Sequence, residues 1–101
     1  MAYEMRKCRR MAMHQLMCVD GKAAVMNNIS VSGVLVTSRW LPASREVSVN
    51  MTLNRREFQL EGIIQWVRRQ TAAKSYHEMG ILFPNAPGQY IDTLEEIFKS
   101  G

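Results

Sequence analysis

The sequence predicts an all-β protein in which six antiparallel strands form a closed or nearly closed barrel and one helix follows at the C-terminus. Apolar and polar residues alternate along most of the chain, which is typical of strands with one buried face. Only the final segment repeats its apolar residues at helical spacing. Short strands without long crossovers would leave exposed edges, and closure into a barrel removes them. A chain of 101 residues has room for one such domain, over 1–101.

The first three predicted strands are apolar runs over residues 11–19, 22–26 and 34–37. Asp20-Gly21 separates the first two runs, and a two-residue Asp-Gly connection is typical of a tight hairpin. The polar segment 27–33 separates the second and third runs and predicts a longer turn.

The last three predicted strands lie over 47–53, 58–66 and 77–83, where the alternation is clearest. The side chains predicted to face inward are Val47, Val49, Met51, Leu53, Phe58, Leu60, Ile64, Trp66, His77, Met79, Ile81 and Phe83. The phase of Trp66 within its strand predicts a position in the core. The alternative is a position at the edge of a ligand site, where its indole stacks on a base.

The segment 87–99 is predicted to be an amphipathic helix. Its apolar face carries Tyr90, Ile91, Leu94, Ile97 and Phe98, and its polar face carries Asp92, Glu95, Glu96 and Lys99. The barrel is therefore expected over 11–83, with the helix against one of its openings.

Several function classes are disfavoured by what the sequence lacks. Cys8 and Cys18 form no metal-binding or disulfide pattern, so we expect reduced thiols and a cytoplasmic location. His14 and His77 have no companions at ligand spacing, so no metal is expected. No apolar stretch reaches the length of a membrane span. No catalytic signature appears, and we expect a protein that is not an enzyme.

Positive charge is concentrated at the N-terminus. Residues 1–22 contain five Lys and Arg against two Asp and Glu, which gives +3 of the total net charge of +4. Such a local excess predicts an anionic partner, and the alternative is a solvated tail. Residues 1–10 also lack the alternating pattern, so they are predicted to form a mobile segment that binds the ligand.

Arg6 and Arg10 stand in an R-x-x-x-R spacing just before the first strand, with Arg9 between them. A guanidinium group donates two parallel hydrogen bonds, which fits a phosphate or the O6 and N7 acceptors of guanine. Its flat face also stacks on a base, which a lysine side chain cannot do.

A second polar motif is Asn28-Ile29-Ser30-Val31-Ser32-Gly33, which has the pattern N-x-S-x-x-G. Asn28 offers a carbonyl acceptor for the N1 or N2 donors of guanine, and Ser30 offers a hydroxyl. Gly33 permits an unusual backbone conformation or a close ligand approach. The alternative interpretation is an ordinary turn whose Asn and Ser side chains bond their own backbone.

The two motifs in this order resemble those of the PilZ family, bacterial domains that bind cyclic di-GMP. The resemblance continues in 62–66, which is similar to a G-x-V-x-W strand of that family, and in 79–83, which is similar to its closing G-I-x-F strand. The resemblance implies a six-stranded antiparallel barrel with a C-terminal helix, as the periodicity predicts independently.

The resemblance also implies a function and a site. Arg6 and Arg10 would hold the phosphates, Hoogsteen edges and base faces of cyclic di-GMP, while Asn28, Ser30 and Gly33 would form the guanine contact. The expected ligand is cyclic di-GMP, with no further cofactor. Ligand binding would order the N-terminal segment and so pass the signal to an unidentified effector protein.

Two alternatives remain open. A PilZ-like domain without ligand would serve only as an interaction scaffold, although it would then be expected to lose these arginines. A small barrel that binds RNA or single-stranded DNA would expose several aromatic side chains on one stacking face. The aromatic residues here lie in core phase or in the helix, which disfavours a nucleic-acid ligand.

Overall fold

A computed structural model of the chain describes residues 10–70 and 76–100. Six antiparallel strands in these ranges form a closed barrel in the order β1-β2-β3-β6-β5-β4, followed by helix α1. The elements are β1 (Met11–Val19), β2 (Lys22–Ser30), β3 (Gly33–Ser38), β4 (Glu46–Leu53), β5 (Arg56–Gln70), β6 (Tyr76–Leu82) and α1 (Gly88–Ser100). The predicted fold class is therefore confirmed.

The core consists of the inward-facing side chains of the strands. Along β4, Val47, Val49, Met51 and Leu53 are buried, whereas the residues between them face outward and are more exposed. This period of two is the alternation that the sequence predicts for a strand with one solvated face. The barrel is thus filled mainly by aliphatic and methionine side chains, with Phe58 and Phe83 among them.

Helix α1 packs its apolar face against one end of the barrel. Tyr90 and Leu94 are fully buried, and Phe98 follows at the same helical spacing. The Tyr90 ring makes edge-to-face contacts with Phe58 and Phe83, at centroid distances of 5.8 and 5.5 Å. Aromatic pairs of this geometry add to the stabilisation from burial.

The barrel consists of two three-stranded meanders, one formed by β1, β2 and β3 and the other by β4, β5 and β6. The meanders join fully where β3 pairs with β6, from Gly33 opposite Leu82 to Ser38 opposite His77. The second join, between β1 and β4, has only the pairs Cys18 with Asn50 and Val19 with Val49. Beyond those pairs the two strands diverge.

Strand β2 is longer than predicted, and the turn after it is shorter. The register of β2 with β3 shifts between Met26 and Asn28, which marks a β-bulge. The bulge interrupts the alternation that predicted the end of the strand at residue 26. Asn28 and Ser30 are consequently strand residues, and only Val31 and Ser32 connect β2 to β3.

The predicted core position of Trp66 is wrong. The register of β5 with β6 shifts between Ile64 and Trp66, so the alternation of β5 changes phase there. Ile64 is buried, whereas Trp66 is 44% exposed on the outer surface of the barrel. One inserted residue is enough to move every later side chain of a strand to the opposite face.

Candidate functional site

One surface pocket brings together all the predicted site residues that lie within the described ranges. It lies where the β2–β3 turn meets β5 and β6, and its volume is about 190 Å³. The predicted residues that line it are Arg10, Asn28, Ser30, Gly33 and Trp66. Arg6 and Arg9 lie outside the described residues, as does most of the predicted mobile segment 1–10.

Arg10 reaches this pocket because of the register between the first two strands. Met11 pairs with Ile29 in the antiparallel ladder of β1 and β2. Continuing that ladder by one residue brings Arg10 beside Ser30, at the end of β2. Arg10 is exposed, so its guanidinium group is available to a ligand at the pocket rim.

Asn28 lies in the middle of the sheet, paired with Ala12 of β1 and Leu35 of β3. Its side chain is half-buried and makes no side-chain hydrogen bond within residues 10–70 and 76–100. The neighbouring Asn27 differs, because its amide donates to the hydroxyl of Thr37 at 2.6 Å. Asn28 thus presents a carbonyl acceptor and an amide donor to the pocket.

Ser30 is engaged by the turn itself. The backbone N–H of Ser32 donates to its hydroxyl oxygen at 3.2 Å, and the hydroxyl donates to the carbonyl of Gly33 at 3.4 Å. The side chain is buried. The sequence left open whether this residue serves a ligand or the local backbone, and these bonds favour the backbone role.

Two long-range hydrogen bonds fix the same turn to the rest of the fold. The Tyr90 hydroxyl of α1 donates to the Ser30 carbonyl at 2.6 Å, and the Phe83 N–H donates to the Ser32 carbonyl at 2.8 Å. Burial raises the pKa of the Tyr90 hydroxyl, because the interior disfavours the charged phenolate. The phenol therefore remains a donor throughout the neutral pH range.

Gly33 is required by the neighbouring strand. A Cβ atom at this position would lie 2.2 Å from the carbonyl oxygen of Ile81 in β6. That distance is far shorter than a van der Waals contact, and the clash is with backbone, which cannot rotate away. The close approach of two strands, rather than an unusual backbone angle, explains the glycine here.

The indole of Trp66 packs against Gly80 of β6. A Cβ atom at Gly80 would lie 2.4 Å from the indole Nε1, so only glycine leaves space for this ring. The guanidinium group of Arg68 lies 5.8 Å from the ring centroid, and it also forms an ion pair with Glu78. The indole is held between a strand and a cation while part of it stays exposed at the pocket.

Seven further residues line the pocket although the sequence indicated no site role for them: Ser32, Val34, Leu35, Gln65, Gly80, Ile81 and Leu82. Gly80 was detectable, because a glycine inside an alternating strand often marks the close approach of another group. Of the described lining residues, Arg10 alone carries a formal charge. The pocket is therefore polar and positively charged on one side, which suits an anionic ligand.

Comparison of the chain with protein-family models, with curated proteins and with solved structures finds no match. In the described ranges, no three His, Cys, Asp or Glu residues are grouped so that they could hold a metal ion. The helix of these ranges is too short and too polar to cross a membrane.

Proposed function

We propose that this protein is a PilZ-type receptor that binds cyclic di-GMP at this pocket and does not hydrolyse it. The observation that supports this proposal is the convergence of the two sequence motifs. Arg10 and Asn28 are eighteen positions apart in the chain, yet both line one pocket together with the exposed indole of Trp66. A cation, an amide and an aromatic ring are groups that can bind the phosphate, the base edge and the base face of a guanine nucleotide.

Arg10 would make the strongest contact with the ligand. Its guanidinium group can bind a phosphate or the guanine O6 and N7 atoms through two charge-assisted hydrogen bonds. No Asp or Glu is among the described residues that line the pocket, so nothing there competes for this cation. Asn28 would accept a hydrogen bond from guanine N1 or N2, since its carbonyl has no partner in the described ranges.

The volume of the pocket suggests how the remaining arginines contribute. Pockets that enclose a small ligand usually measure about 300 to 1,000 Å³, whereas this pocket measures about 190 Å³. A dinucleotide would therefore occupy it with one base and leave its phosphates at the rim. Residues 1–9 continue from Arg10 at that rim, and Arg6 and Arg9 would close over the ligand from there.

This closure would provide the output signal. Binding of the dianionic ligand would order the N-terminal segment against the barrel and create a new surface. We propose that an effector protein in the cytoplasm recognises this ordered surface. The receptor needs no catalytic group for that role.

The decisive experiment is titration calorimetry of the full chain with cyclic di-GMP, beside GTP, cyclic di-AMP and a short RNA. We expect saturable binding of cyclic di-GMP, with much weaker binding of cyclic di-AMP because adenine lacks the guanine N2 and O6 groups. Tight binding of RNA without binding of cyclic di-GMP would replace this proposal with the nucleic-acid hypothesis. Binding of neither would favour the scaffold hypothesis.

A further inference from the structure

A second surface of the barrel is distinguished by its lack of charge. Strands β1 and β3 contain no Lys, Arg, Asp or Glu, and β2 and β4 contain one each, at the first residue, Lys22 and Glu46. We define the neutral face as eight uncharged, outward-facing side chains of these strands: Ala12, Leu16, Cys18, Ala23, Val25, Thr37, Asn50 and Thr52. It leaves out the outward-facing Glu46, and also Asn28 and Leu35, which line the pocket described above.

The neutral face has an apolar centre. Leu16 is 75% exposed, which leaves almost the whole isobutyl group in water. Its partner across the β1–β2 ladder is Val25, and the next outward pair along that ladder is Cys18 with Ala23. These four side chains form a contiguous apolar patch, which on a protein surface commonly marks an interaction site.

A groove opens beside this patch, where β1 and β4 diverge. It has a volume of about 720 Å³, and its lining combines the buried Met17, Met51 and Phe58 with the polar side chains of Asn50, Thr52, Glu57 and Gln59. The side chain of Gln15 crosses the gap and donates to the Thr52 carbonyl at 2.7 Å, in place of a backbone ladder. Leu16 stands at the edge of the groove as a protruding apolar side chain.

We propose that the neutral face is a dimer interface at which a second copy of this chain docks about a twofold axis. A protruding leucine and a groove with apolar residues in its lining are complementary to each other when the face meets a copy of itself. Each Leu16 would then enter the groove of the partner. Removal of two exposed leucines from water would drive the association.

The charge distribution favours a second copy as the occupant. Each chain carries a net charge of +4, so two copies repel one another, and they repel least when they meet through a surface without cations. The neutral face lacks Lys and Arg, and Glu57, which lines the groove, adds a negative charge there. A partner chosen by strong charge complementarity would find no matching charges on this face.

This interface is separate from the pocket proposed for cyclic di-GMP. That pocket is lined by Arg10 and by residues of β2, β3, β5 and β6, whereas the groove lies between β1 and β4, and no residue lines both. The dimer does not depend on the proposed ligand.

Sedimentation velocity of the full chain over a wide range of protein concentrations tests this proposal. We expect a concentration-dependent dimer whose dissociation constant rises at least about tenfold in Leu16→Asp. Val67→Asp is the matched control, because Val67 is 45% exposed on β5, outside the neutral face. It should dimerise normally. A wild-type monomer at all concentrations, or equal loss in both variants, would overturn the proposal.

Two further measurements identify the interface directly. Higher ionic strength should strengthen the dimer, since it screens the repulsion between like-charged copies; weakening by salt would contradict the neutral interface. In a Cys8→Ser and Cys18→Ser background, a mixture of Leu16→Cys and Gln59→Cys proteins should form a disulfide between the two on oxidation, because Gln59 lines the groove that Leu16 of the other copy would enter. A mixture of Leu16→Cys and Val67→Cys proteins should not. Absence of that crosslink while the dimer persists would place the interface elsewhere.

Discussion

The proposed ligand pocket contains two groups of residues that differ in how their polar groups are used. We call Ser30 and Gly33 the turn wall, and Arg10 and Asn28 the open wall. On one wall, Ser30 and Gly33 are held by the hydrogen bonds of the turn, by Tyr90 and by the adjacent strand β6. On the other wall, the side chains of Arg10 and Asn28 make no hydrogen bond with the described residues. The polar groups of the turn wall therefore stabilise the fold, whereas those of the open wall remain available as donors and acceptors for a ligand.

This difference separates two kinds of mutational effect. A substitution in the turn wall should appear mainly as a change in the free energy of unfolding. A substitution in the open wall should change affinity for the ligand and leave the free energy of unfolding almost unchanged. Four predictions test this division.

Gly33→Ala should have the largest effect, a destabilisation of about 3 kcal/mol, because its Cβ would collide with the Ile81 carbonyl. For a domain of this size the melting temperature should fall by more than about 10 °C. Gly88→Ala is the matched control, since a Cβ there meets nothing within 4 Å. A Gly33→Ala protein as stable as Gly88→Ala would mean that β3 and β6 do not approach as closely as described.

Arg10→Ala should reduce the affinity for cyclic di-GMP by about ten- to a hundredfold, which corresponds to about 1.5 to 3 kcal/mol of charge-assisted hydrogen bonding. Its melting temperature should match that of the wild type. We expect the same for Arg6→Ala, and no rescue by lysine at either position. Arg55→Ala, at the exposed β4–β5 turn, removes the same charge and should bind normally. Equal losses in both variants would indicate a general electrostatic effect.

Tyr90→Phe should lower the free energy of unfolding by about 1 to 2 kcal/mol, because the buried Ser30 carbonyl loses its donor. The wild type should also lose stability as the pH rises above about 10, where the unfolded phenol ionises but the folded one does not. The unfolded state then binds fewer protons than the folded state. Denaturation of both proteins at alkaline pH measures this effect. The free energy of unfolding should depend less on pH in Tyr90→Phe than in the wild type, and an identical dependence would contradict the assigned role of Tyr90.

The smallest effects should distinguish Asn28 from Ser30. Asn28→Ala should weaken binding of cyclic di-GMP by about 1 kcal/mol and leave thermal stability unchanged. Ser30→Ala should instead lower stability by about the same amount, because its hydroxyl bonds Ser32 and Gly33. Calorimetric titration and thermal denaturation of both variants measure the two quantities. The reverse assignment would mean that the turn hydroxyl contacts the ligand.

The fold was predictable because most strands keep one phase along their length. In β4 the alternation from Val47 to Leu53 is uninterrupted, and burial follows it at every position. In β2 and β5 a bulge shifts the phase at Asn28 and at Trp66. A bulge cannot be recognised from the residue types of a strand. The extent of β2 and the exposure of Trp66 therefore could not be derived from the alternation of apolar and polar residues alone.

The sequence predicted which residues form the candidate site, but not which of them face the ligand and which stabilise the turn. The spacing of Arg10 and Asn28 indicated groups that recognise a nucleotide, and the register of β1 with β2 brings them to one pocket. Nothing in the sequence indicated that Tyr90, sixty positions later, would bond Ser30. Such a contact depends on how α1 docks, which only the assembled barrel determines.

The construction of the barrel from two meanders has a consequence for how the chain folds. Each meander can form from local hairpins, but the two joins connect residues that are distant in sequence, and closing such loops costs conformational entropy. The long β3–β6 ladder should therefore limit the folding rate. The short β1–β4 ladder stabilises the closed state least, so transient opening of the native protein should begin there, as a gap that widens between two otherwise intact sheets.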